Sequence, residues 1–390
     1  MTIVDINFPY EKILERKKRY ETAYAMQKAD RVPVLHYIGS RYWIDFIEGC
    51  SIGDYLKDAK TMLECQLRGQ KWILENVDSD FFETVCYPDF MWVEDIHSFG
   101  AECVFPENDS PWVVRPYMLE KDADLEQLRK VDYVYNGLHG KMIDFYKQMK
   151  DLGAEYRVRF SDGEVIQVTD LVYMGNGGII GPTTIAGDLR GVENFSIDLF
   201  DRPEWVHELY NIIVDKSIEW LDAVYDIGKD KVAFCSHYYP NTIFIGDDGT
   251  AQMSPQQVEE FALKPLQELA DHFRNKGFDI MMHNCGKADH LLQLWADEVK
   301  IDRYIGFSYQ MDKNKLKEIM GNRIFLMGGV NTVILRERTL EDVMEDVRKN
   351  LEVFKDLDGF VLMDGHNVAP GTPVQNLNAV TEAVRKYGAF

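Results

Sequence analysis

The chain has 390 residues, 46% of them hydrophobic, enough for one large core. Its 43 Lys and Arg stand against 65 Asp and Glu, a net charge of −22 that repels phosphate backbones and anionic lipid. Nucleic acid and membrane surfaces are therefore not expected as partners. No window approaches the roughly 18 uninterrupted apolar residues of a membrane helix, and the opening "MTIVDINFPYEKILERKKRY" lacks the apolar core of a signal peptide. The six cysteines, Cys50, Cys65, Cys86, Cys103, Cys235 and Cys285, are scattered, so they read as reduced thiols in a cytoplasmic protein.

From the N-terminus, helical patterning covers 9–28 and 55–76, with strands expected at "RVPVLHY" and "DFFETVCY". Residues 84–135 mix aromatic and acidic residues and read as an elaborated connection. A helix follows in "DRPEWVHELYNIIVDKSIEWLDAV" and a strand in "KVAFCSH". "SPQQVEEFALKPLQELADHFRNKG" is a capped helix with a kink expected at Pro265. Thereafter strands and helices alternate strictly. "FDIMMH", "RYIGFS", "RIFLMGGV" and "GFVLMD" are the strands, and "ADHLLQLWADE", "DKNKLKEIMG", "TLEDVMEDVRKNLEVFKD" and "TPVQNLNAVTEAVRKYG" the helices. Thr339 and Asp342 stand at capping-box spacing; Thr372, Pro373 and Gln375 suggest a second box, and Gly388 a stop. Continuous apolar strands separated by helices mean a parallel sheet covered on both sides. The fold class is thus α/β, a (β/α)8 TIM barrel forming one domain over 1–390, with residues 1–30 as an N-terminal helical extension.

In such a barrel the reactive groups sit where strands run into helices. "MMHNCGK" puts His283 and Cys285 at one strand end, and "VLMDGHNVAPGTP" puts His366 at another. Imidazole and thiolate are natural zinc ligands, and three protein ligands leave a position open for substrate. His283, Cys285 and His366 are therefore the expected zinc set, although a lone His-x-Cys is also what an ordinary core pair looks like. His237, ending "KVAFCSH", reads as a substrate contact rather than a ligand. Asp247 and Asp248, in "FIGDDGTAQMSP", read either as exposed or helix-capping acids, or as a substrate contact and a proton relay respectively. Gln310 and Asn331 follow strand ends and are expected to line the pocket. A zinc ion there would polarise an ether oxygen toward loss of its methyl group, or turn a thiol into a nucleophile.

The segments "KADRVPV", "GPTTIAGDLRGVENFSIDLFDRPEWVHELY", "HNCGK", "GNRIFLMGGVNT" and "GHNVAPGTPVQN", in that order, resemble the uroporphyrinogen decarboxylase superfamily, especially its corrinoid-linked methyltransferase branch. That resemblance implies a zinc-dependent enzyme moving a methyl group between a small molecule and the cobalt of a corrinoid (cobalamin) carried by a separate protein. No Asp-x-His-x-x-Gly segment appears in the chain, so the corrinoid is expected from a partner. The branch pattern pairs His-x-Cys with a distant cysteine, where this chain has His366. The wealth of Tyr, Trp and Phe in the N-terminal half suits a methoxylated aromatic donor, hence O-demethylation. The alternative is a cofactor-free decarboxylase of tetrapyrroles: Asp89 in "YPDFM" resembles its essential aspartate, and "HYIGSRYW" keeps Arg41 of its arginine pair, with Tyr37 near the place of the other. A non-catalytic corrinoid carrier is a third reading.

Overall fold

The computed structural model describes residues 1–82, 84–115, 117–121, 124–175, 177–233, 241–365 and 367–388. Of the residues singled out above, Cys235, His237 and His366 lie outside these segments. Six strands form one parallel sheet in the order β11-β10-β9-β8-β7-β6: β6 (Gly178–Ile180), β7 (Thr242–Gly246), β8 (Asp279–His283), β9 (Arg303–Phe307), β10 (Phe325–Val330) and β11 (Phe360–Asp364). Single parallel bridges complete the ring: Val34 pairs with Leu362 beyond β11, Cys86 with Val172, and Met174 with Val232. The Asp80 amide donates to the Val34 carbonyl at 2.7 Å, joining the first position to the second. Val34, Cys86, Val172 and Met174 with β6, and Val232 with β7, thus precede β8 to β11 around a closed barrel.

Every residue of β10 and β11 is buried, as strands enclosed by side chains within and helices without must be. The covering helix Leu340–Phe354 buries Val343, Val347, Leu351 and Phe354 and begins with the Thr339–Asp342 capping box. Other expectations need correction. "RVPVLHY" and "DFFETVCY" contribute bridges rather than strands. "ADHLLQLWADE" is largely a turn followed by a π-helix, Leu294–Val299. The last helix, Val374–Tyr387, has Pro373 at its N-cap with no side-chain cap, because the Thr372 hydroxyl donates to the Ala369 carbonyl instead; it does end at Gly388. Ahead of Pro265 the backbone widens into a π-turn, Val258–Ala262, which absorbs the amide that proline lacks.

The N-terminal extension is not purely helical. Thr2–Ile6 (β1) pairs parallel to Tyr156–Phe160 (β4), itself antiparallel to Val165–Gln167 (β5), and only then comes the helix Tyr10–Tyr24. Within the long connection Cys103–Val104 (β2) and Trp112–Val113 (β3) form a small antiparallel pair. Cys50 and Cys65 are joined in a disulfide, which corrects the reading of all cysteines as reduced; Cys86, Cys103 and Cys285 are free. No helix among the described residues is long and apolar enough to cross a membrane.

Candidate active site

Strand register creates the central cluster. In the parallel pair β7–β8, Gly246 lies opposite His283. Asp248 and Cys285, each two residues further on, therefore leave the sheet side by side. Their ligand atoms and those of His283 all lie within 4.8 Å of one another, with His283 Nε2 3.9 Å from Asp248 Oδ2. The Cys285 amide donates to Asp248 Oδ1 at 2.7 Å. Asn284, buried between the two candidate ligands, donates from Nδ2 to the Asp247 carbonyl and to Thr250 Oγ1, and accepts from the Gly286 amide. This pins the His-x-Cys turn onto the neighbouring loop.

The third strand makes room for the imidazole. Along β9, Ile305 pairs with Met327 and Phe307 with Gly328, so Gly306 is an extra, bulged residue with φ +64°. A Cβ at Gly306 would lie 2.2 Å from His283 Nδ1. A glycine inside a strand pattern signals such a close approach, and "RYIGFS" carried that signal unread. Burial, and then the Asp248 carboxylate, push the Cys285 thiol far above its ordinary range. A thiol, an imidazole and a carboxylate crowded together in this way fit a divalent cation, whose charge would reverse the penalty on the thiolate. Asp248, expected as a proton relay, thus stands as a ligand candidate beside His283 and Cys285; His366, the expected third ligand, is outside the described residues.

A cavity of about 270 Å³ opens nearby, lined among others by Tyr37, Arg41, Asp89, Trp92 and Glu94. It brings together the three residues that the decarboxylase reading had singled out. Asp89 Oδ2 accepts from Ser40 Oγ at 2.7 Å and Tyr55 Oη at 2.8 Å, and Oδ1 from the Met91 amide. Met91 and Trp92 both hold positive φ, +61° and +76°, a strained pair of the sort that binding sites retain. Tyr37, Trp92, Phe244 and His283 form a chain of ring contacts, at centroid separations of 6.5, 6.4 and 5.7 Å, so one aromatic wall runs from the cavity to the cluster. Glu94 was not anticipated: burial, then Asp89 and Asp95, push its carboxyl up to about 8.

Asp247, Asn331 and Gln310, also expected as contacts, lie on neighbouring loops. Asp247 is fully buried, its oxygens accepting from the amides and hydroxyls of Thr183 and Thr184, so it holds the start of helix Pro182–Arg190. Both carboxylate oxygens are engaged there. Asn331 caps Thr332–Glu337, its side-chain oxygen taken by the Val333 and Ile334 amides. Gln310 is exposed, with its amide donating to Ser308 Oγ. His237 lies outside the described residues.

With this geometry in place, the uroporphyrinogen decarboxylase (URO-D) family model matches residues 15–387. A methylcobamide:CoM methyltransferase of Methanosarcina barkeri is 24% identical over 218 residues, 55% of this chain and 58% of that protein's own length. A uroporphyrinogen decarboxylase of Paraburkholderia phytofirmans is 21% identical over 308 residues, 78% of this chain and 77% of that protein. A methyltransferase from Methanosarcina mazei superposes with a TM-score of 0.67 at 20% identity, covering 98% of this chain and 99% of that one, and so shares the barrel fold.

Proposed function

We propose, from the premise that the chain belongs to the uroporphyrinogen decarboxylase family, that it is a corrinoid-linked methyltransferase with a zinc site at His283 and Cys285. The observation that carries this reading is the Asp248–His283–Cys285 cluster at adjacent strand ends of a barrel whose relatives include a methylcobamide methyltransferase. His366 remains a proposed further ligand. Bound there, a zinc ion would supply Lewis-acid activation of the atom that carries or receives the methyl group. The chain's own residues do the rest. Gly306 seats the His283 ring, Asn284 fixes the turn, and the Cys285 amide holds Asp248 in place. The aromatic wall presents apolar ring surface between the cluster and the cavity. The cobalt that exchanges the methyl group belongs to a separate corrinoid protein docking at the barrel mouth. The substrate half-reaction is demethylation of a small molecule, with methoxylated aromatics the donor class that the sequence favours.

The test is metal analysis together with a donor screen against cob(I)alamin, following methylcobalamin by absorbance. Methoxylated arenes, methylated amines and methyl thioethers are the donors to include. One zinc per chain, lost together with activity in Cys285→Ala, is the expected result; full turnover by metal-free protein would sink the reading. The decarboxylase alternative keeps one specific support, the convergence of Tyr37, Arg41 and Asp89 on a single cavity. It predicts metal-independent loss of carboxylate from a tetrapyrrole.

A further inference from the structure

We propose that the cavity between residues 37–41 and 87–94 binds an organic ammonium group, held among aromatic rings and the carboxyls of Asp89 and Glu94. Calling that ligand the methyl donor rests on the methyl-transfer reading; the binding itself does not. Tyr37, Tyr87 and Trp92 all line the cavity, and their electron-rich faces attract cations. Its oxygens are acceptors. Asp89 is fixed by Ser40 and Tyr55, and Asn367 Oδ1 is buried in the wall with no hydrogen-bond partner among the described residues. Glu94 accepts the Phe90 amide on Oε1 and shares the lining five residues beyond Asp89.

Arg41 also lines the space and opposes a cation, but it is exposed, where solvent screens its charge, while Glu94 is buried. Several charged and titratable groups surround Glu94. Asp89 and Asp95 raise it; Asp95 is itself engaged by His139 and Tyr133, and Cys103 feels the Glu94 charge. Lys141 lies against the Phe90 and Phe145 rings, with its ammonium donating to the Leu56 carbonyl, and His97 shares the short helix Glu94–Ser98 with Glu94. With its carboxyl pushed up to about 8, Glu94 is protonated at neutral pH. An entering ammonium favours the carboxylate, so its binding releases one proton from Glu94 to solvent, and no covalent bond changes. Such a ligand replaces the uncharged methoxylated arene as the donor class, while the methyl-transfer reading itself is kept.

The experiment is isothermal titration of the full chain with choline and with its uncharged carbon isostere, in which carbon replaces the quaternary nitrogen. Choline should bind at least about tenfold more tightly. Its affinity should rise by up to about tenfold per pH unit toward the Glu94 value and then level off. Glu94→Gln should lower choline affinity and flatten that pH profile. Trp92→Leu should lower affinity about tenfold with the profile retained, and this variant, with the wild-type profile, decides the matter should the Glu94 variant fail to fold. Equal binding of the isostere, or a flat wild-type profile, overturns the proposal. Cys285→Ala should bind choline normally. Binding that persists while methyl transfer to cob(I)alamin fails removes only the methyltransferase reading, and transfer from an uncharged donor without choline binding removes only this inference.

Discussion

Gly306 is the point at which backbone geometry decides whether His283 can serve as a ligand. Its φ of +64° is left-handed, and its missing side chain is the space that the imidazole occupies. Gly306→Ala combines two effects, a backbone penalty of about 1–2 kcal/mol and a collision with His283 Nδ1. The backbone penalty alone is reproduced by Gly163→Ala. Gly163 also has positive φ, +92°, but a Cβ there meets nothing within 4 Å. Zinc affinity, measured by competition with a chromophoric chelator, should fall roughly 10–100-fold in Gly306→Ala, as when ligand orientation is lost elsewhere. It should stay unchanged in Gly163→Ala. Equal affinities in the two variants would mean that the His283 ring does not need this gap.

Among the ties of the N-terminal helix Tyr10–Tyr24 to the barrel is a buried carboxylate. Asp80, its side chain 1% exposed, accepts from Arg19 at 2.8 Å, from Arg31 at 2.7 and 2.8 Å, and from the Val34 amide at 2.8 Å. Removing one member of a buried ionic network strands the others, so Asp80→Ala should destabilise the protein by about 3–5 kcal/mol. Asp30 also pairs with Arg19, but its side chain is 64% exposed. Asp30→Ala should therefore change stability by less than about 1 kcal/mol. Urea midpoints for the two variants check the contrast, and similar shifts would show that Asp80 is no keystone. The same element explains part of what the sequence hid. β8 to β11 were readable because strands buried on both faces are continuously apolar. The positions at Val34 and Cys86 are single bridges, the first steadied by Asp80 and the second by backbone bonds with Leu171 and Tyr173, and their neighbours Arg31, Asp80 and Thr84 break that apolar signal.

Across the whole molecule, legibility follows distance in the chain. His283 and Cys285 were visible because they share one turn, whereas Asp248 becomes their neighbour only through the β7–β8 register, and its acidic pair with Asp247 resembles any polar loop. Glu94 was hidden because "MWVEDIHS" gives no hint of which acid turns inward, yet it shapes how the entire fold responds to pH. Its carboxyl rises from an ordinary 4.5 to about 8 on folding, while Asp188 and Asp247 rise from 3.8 to about 6, in each case chiefly by burial. The folded chain thus keeps protons that the unfolded chain releases, so stability must fall as pH climbs through these windows. By about 7 both aspartates are largely ionised in either state, and their slope is nearly spent. Lowered His97 has the opposite sign, but its window closes at its ordinary 6.5. Between there and about 8 Glu94 leads, with a slope approaching about 1.4 kcal/mol per pH unit. Urea unfolding of metal-free protein across that interval should show the decline, and Glu94→Gln, which cannot ionise, should remove most of it and be the more stable form at the alkaline end. A wild-type stability that is level or rising from pH 6.5 to 8 would mean that Glu94 is already ionised in the folded protein.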